Sequence, residues 1–159
     1  MPDTPAGLSA KLISEGEKTL TFFKDLGNEQ LERIVYSEGT SWSVRHVLAH
    51  FVSAETAFRE LLTDVLAGGS GAAEGFDIDS FNQKKVSALQ GLSTSVLLDQ
   101  FREVRWQTAS IVSQINPEQL ERTARHPFLG IAPLVDIIKL IYRHNQIHLR
   151  DVRRTIEAK

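Results

Sequence analysis

The chain contains no cysteine. Disulfides, thiolate metal ligands and a cysteine nucleophile are all excluded, so any metal ion must be held by His, Asp or Glu. Long apolar runs are missing too. None approaches the roughly 18–20 residues that a bilayer-crossing helix requires, so no membrane association is expected. Nor is there an excess of basic charge: 18 Lys and Arg against 20 Asp and Glu give a net charge of −2. That balance offers no field for neutralising phosphates and argues against nucleic acid as a partner. The opening stretch, "MPDTPAGLSA", lacks the charged and apolar segments of a secretory signal, and the expected compartment is the cytosol. No G-x-S-x-G nucleophile elbow occurs, and the glycine-rich stretch lacks the Lys-Ser/Thr ending of a phosphate cradle.

What remains is a chain of 159 residues, 42% apolar and 24% charged, which suits one globular domain spanning residues 1–159 with a substantial core. Four long stretches follow the helical period. The first covers about residues 6–25, with Leu8, Leu12, Leu20 and Phe23 on one stripe and Gly27 as a stop. "NEQLERIV" after it reads as a turn of helix. The second starts at Ser43, whose hydroxyl is suited to accept from a first-turn amide. It carries Val47, His50, Phe51, Ala54, Phe58, Leu61 and Val65 on one face, and ends in a flexible loop, "AGGSGAAEG", at residues 67–75. "DSFNQKKVSALQ" predicts a short extra helix between the second and third long ones. The third spans about residues 94–115, with Leu97, Phe101, Val104, Thr108, Ile111 and Ile115 on its stripe, and Asn116-Pro117 opens something brief. The fourth runs from near Pro133 to about residue 157, its inner face including Ile137, Ile141, His144, His148, Val152 and Ile156. No alternating run is long enough to build a sheet. The expected fold is therefore all-α, a four-helix bundle, in which sites are made by inward side chains on facing helices.

The five histidines carry the functional signal. His144 and His148 in "IYRHNQIHLR" are one turn apart and project from the same face. Such a pair suits a divalent ion, since two imidazole nitrogens reach one metal from i and i+4. By itself the pair is equally compatible with two partly exposed residues near a helix end. Their position on the inner stripe sharpens matters, because buried imidazoles need partners for their ring nitrogens and one ion satisfies a nitrogen on each. His50, on the inner face of the second helix, supplies a third ligand. Three protein ligands leave a position open for water or substrate. His46 sits at the third helical residue, where local capping is the preferred reading over a fourth ligand. His126, before a proline in "RHPFLG", is expected to do surface or turn chemistry. Glu55 could act as an acceptor or proton carrier behind the ligands, or be solvated, and Asp151 could orient a ligand or pair with Arg154.

Two segments make the pattern familiar. "SWSVRHVLAHFVSAE" at 41–55 and "HPFLGIAPLVDIIKLIYRHNQIHLRDVRRTI" at 126–156 resemble the DinB-like (YfiT-like) superfamily of metal-binding four-helix bundles. The shared features are a tryptophan-serine helix start before an inward histidine, and a histidine-proline…glycine lead-in to a final helix with H-x-x-x-H. The resemblance implies that His50, His144 and His148 bind a divalent ion, typically zinc or nickel, that Trp42 helps pack one end of the bundle, and that homodimers form. His46 departs from it, since an acidic helix-capping residue is expected there. Two reactions on a small-molecule substrate follow: metal-assisted hydrolysis, or thiol transfer with an external low-molecular-weight thiol bound at the metal. A non-catalytic, metal-stabilised stress-response or binding module is the alternative, and metal-free structural histidines a third. Fold is more firmly implied than reaction, and no catalytic side chain is singled out.

Overall fold

The computed structural model describes residues 3–158 and is predominantly helical. Helix α1 (Pro5–Lys24) opens with Thr4, whose hydroxyl accepts from the Gly7 amide at 3.0 Å, and with Pro5 at its first position. One helical turn, α2 (Asn28–Leu31), follows. Helix α3 (Val44–Leu66) starts at Ser43 as the sequence predicts. The short extra helix is α4 (Ile78–Ala88), capped by Asp77 through the Ser80 amide. Helix α5 (Thr94–Ser113) is capped by Ser93, and a 3-10 turn at Pro117–Glu121 comes after it. Helix α6 (Leu134–Glu157) completes the bundle formed with α1, α3 and α5. No helix among the described residues is long and apolar enough to cross a membrane.

Two small features depart from the sequence reading. A ribbon of β1 (Ile34–Tyr36) and β2 (Trp42–Ser43) leads into α3, and a hairpin of β3 (Thr123–His126) and β4 (Gly130–Pro133) leads into α6. With strands of two to four residues, there is too little chain for alternation to register as a pattern. In the hairpin, Arg125 faces Ile131 and His126 faces Gly130, which turns at φ 71°. The loop at 67–75 is also less free than its composition suggests. The Ala72 amide donates to the Arg125 carbonyl at 2.8 Å, and the Arg125 amide to the Ser70 carbonyl at 2.9 Å. Gly71 sits between them at φ 93°, where a Cβ would lie 2.5 Å from the Arg125 carbonyl oxygen.

The core has two apolar halves. One gathers Leu8, Leu12, Phe58, Leu62, Ile137 and Ile141; the other gathers Phe23, Val47, Phe51, Phe101, Leu149 and Val152. Between them every long helix turns polar. Arg105, with no exposed surface, donates from Nε to Glu55 Oε2 at 2.9 Å and from Nη2 to Oε1 and to Asn145 Oδ1. Its Nη1 donates to the Leu12 carbonyl at 3.1 Å. Gly16 admits the arginine stem, since a Cβ there would lie 3.0 Å from Arg105 Cγ. Removing one member of such a pair strands a buried charge, at a cost of about 3–5 kcal/mol. Arg105→Met is therefore expected to lower unfolding stability in urea by about that amount. A loss no larger than that of an exposed substitution would show that the pair does not hold the helices.

Candidate metal centre

His50 comes from the first half of α3, and His144 and His148 from the middle of α6. The interhelix packing brings the three rings to centroid separations of 4.7 Å (50–144), 5.1 Å (50–148) and 4.6 Å (144–148). His50 is buried; His144 and His148 are half-buried, so the cluster is not wholly closed off. Aromatic side chains pack around the cluster: Trp42 against His50 at 5.1 Å, Phe51 at 5.7 and 5.8 Å from His144 and His148, and Phe58 at 6.4 Å from His144.

Nε2 of His50 and Nε2 of His144 lie 2.8 Å apart. Two neutral imidazole nitrogens at that distance need one proton between them. His50 Nδ1 is buried with no partner among the described residues. Hydrogen bonding alone therefore leaves one His50 nitrogen unmatched in either tautomer. One donor atom from each of the three histidines falls within 4.8 Å of the others. A tetrahedral ion bound at about 2.0–2.1 Å would hold such atoms about 3.3–3.4 Å apart. The 2.8 Å Nε2–Nε2 pair lies just inside that value, and a set of three imidazoles suits a divalent transition-metal ion.

Charge favours the same use. Burial, aided by neighbouring His148, pushes His50 down to about 3. His144 is held well below the usual histidine range, by burial first and then by the adjacent rings and Arg105. His148 is lowered by burial against an opposing pull from Asp151. All three are neutral near pH 7, so their lone pairs are not occupied by protons.

His148 has a support that the sequence did not reveal. Its Nδ1 lies 2.8 Å from the Tyr36 hydroxyl, which donates to Asp151 Oδ2 at 2.6 Å. With the phenolic proton given to Asp151, His148 donates from Nδ1, and its Nε2 lone pair is left for the cluster. Burial and the Asp151 carboxylate raise the Tyr36 pKa, which keeps the phenol protonated. Asp151 thus acts on His148 through Tyr36, and its nearest cation is Arg150 at 3.7 Å rather than Arg154. Glu55 is not solvated and bonds to no ligand histidine; Arg105 takes both its oxygens. His46 caps α3: its Nδ1 accepts from the Ser43 amide at 2.9 Å, while its own amide donates to Ser43 Oγ at 3.3 Å. Arg105 was detectable, since it continues the Phe101–Thr108 stripe at helical spacing; Tyr36 lies on a ribbon with no sequence signature.

A four-helix bundle with three convergent histidines on two helices defines the class, and the comparisons agree. The DinB superfamily model matches residues 12–152, and the chain belongs to that superfamily. Among solved structures it is similar to YfiT from Bacillus subtilis, described as a probable metal-dependent hydrolase with an unusual four-helix bundle topology. That match has 18% identity, 92% of this chain, 85% of the other and a TM-score of 0.72. It is also similar to the colibactin self-resistance protein ClbS, solved with a double-stranded DNA, at 15% identity, 97% and 98% coverage and TM-score 0.70. A third is the mycothiol-dependent maleylpyruvate isomerase, at 13% identity and TM-score 0.72, where 93% of this chain spans 59% of that one. No curated protein matches in sequence.

Two outcomes are expected. Histidine ordinarily titrates near 6.5, and His50 is pushed down to about 3 in the fold. The unfolded chain then binds more protons between those values, so stability present above pH 6.5 is lost as pH falls through this window. The urea midpoint of ion-free protein should drop between pH 6.5 and about 4, less steeply in His50→Gln; a flat profile would contradict a neutral buried cluster. Tyr36→Phe should weaken metal affinity about 10–100-fold, measured by chelator competition.

Proposed function

We propose that this protein holds one zinc or nickel ion through His50, His144 and His148 and acts on a small molecule by metal-assisted hydrolysis. The observation that carries the reading is the convergence of three neutral imidazoles, two of them only half-buried, with no fourth His, Asp or Glu in the cluster among the described residues. An ion in this position supplies Lewis acidity, activating water or a thiol and polarising a carbonyl. The chain does the rest: the Tyr36–Asp151 pair orients His148, and Trp42, Phe51 and Phe58 pack around the three rings. A second reading, transfer from an external low-molecular-weight thiol, is supported by the absence of cysteine and by likeness to the mycothiol-dependent isomerase. A cytosolic location and a homodimer belong to the same proposal.

Elemental analysis of protein purified without a histidine tag, beside the His144→Ala/His148→Ala double variant, tests this. The wild type should carry about one ion per chain and the variant almost none, as expected when two of three ligands are lost. Equal metal content in both would refute the centre. A screen of esters, amides and thiol conjugates should then yield an activity abolished by chelation.

A further inference from the structure

His126 is used neither by the three-histidine cluster nor by the α3 cap. Its place in the fold is nonetheless closely defined. At the end of β3, its Nδ1 accepts from the Phe128 amide at 3.0 Å and from the Leu129 amide at 3.3 Å. A nitrogen that accepts two N–H groups carries no proton, so the ring's single proton is on Nε2. The two nitrogens leave an imidazole on different sides, and Nε2–H is therefore turned away from the hairpin-tip amides. No protein group among the described residues accepts from it. The ring is half-buried and stacks on Phe58, with centroids 5.5 Å apart and planes at 15°. Phe58 in turn packs on His144, at 6.4 Å. A fixed, unspent N–H donor thus stands one aromatic ring away from the metal-binding histidines, on the hairpin that leads into their helix.

We propose that His126 is an oxygen-binding donor of this site. Its Nε2–H receives an anionic or carbonyl oxygen of a ligand whose other end occupies the open position among His50, His144 and His148. This inference rests on the metal-centre reading and deepens it by naming a ligand class. The class is small bifunctional molecules, with a thiolate or other metal-binding group and a carboxylate or carbonyl oxygen a few bonds away. Because the tip amides already hold the ring in one orientation and tautomer, the donor needs little rearrangement when the oxygen arrives.

Asparagine separates this role from a purely structural one. Its Oδ1 can accept the same two tip amides, in the manner of an Asx turn, but it places nothing where Nε2–H stands. The test uses cobalt-loaded protein titrated with 3-mercaptopropionate and with propanethiol, followed by visible absorption. Both probes offer sulfur; only one offers a carboxylate. Wild type should prefer 3-mercaptopropionate by about tenfold or more, the usual worth of a hydrogen bond to a charged partner. His126→Asn should lose most of that preference while keeping cobalt stoichiometry and propanethiol affinity. His126→Gln, whose longer side chain returns an N–H, should recover part of it. An equal preference in wild type and His126→Asn, or an equal loss for both probes, would overturn the assignment and leave the metal centre standing. Failure to take up cobalt at all would overturn the metal centre, and this inference with it.

Discussion

A guanidinium with no exposed surface must be neutralised and hydrogen-bonded where it stands, or its burial becomes very costly. Arg105 of α5 meets that requirement with partners from each of the other long helices: Glu55 of α3, Asn145 of α6 and the Leu12 carbonyl of α1. None of these helices can slide along its axis without breaking a buried contact. The relative heights of α3 and α6 are thereby set, and the histidines depend on those heights. Asn145 adjoins His144 in sequence, and Glu55 follows His50 by little more than a helical turn. The same geometry that satisfies the arginine brings Nε2 of His50 within 2.8 Å of Nε2 of His144.

The bundle is therefore two apolar halves around a polar middle layer. A layer of this kind is costly in stability, and the aromatic packing on both sides offsets the cost. The neutral imidazoles lie beside this layer, on the two helices that Glu55 and Asn145 tie to Arg105. Tyr36 extends the same logic outward, joining His148 to Asp151 and so selecting which nitrogen faces the cluster.

Much of this was legible in the sequence, and what was not has physical reasons. Long helices with one apolar stripe announce themselves, so α1, α3, α5 and α6 fall close to their expected bounds. The Ser43 cap was readable from chemistry alone, and so was the capping by His46. Two histidines a turn apart plus a third on a facing stripe identified the cluster that the fold brings together. Tyr36 escaped because it sits on a three-residue strand, too short for any period to show. Arg105 stood on the apolar stripe of its helix, but the Arg105–Glu55–Asn145 network escaped because charged residues are presumed to face water, and only tertiary packing shows two charges and an amide satisfying one another. The 67–75 loop was read as flexible from its glycines, yet Gly71 is there for a close approach to β3. His126 was read as surface or turn chemistry, and its Nδ1 does accept two amides at the hairpin tip while its half-buried ring stacks on Phe58.

Membership of the DinB superfamily and likeness to solved relatives below 20% identity establish the fold. One ion shared by α3 and α6 is a narrower matter. Anomalous diffraction from crystals of protein loaded with zinc or nickel, recorded at the metal's absorption edge, addresses it directly. The account predicts a single strong peak among His50, His144 and His148, within bonding distance of all three. A peak held elsewhere, or none at the three histidines, would contradict it.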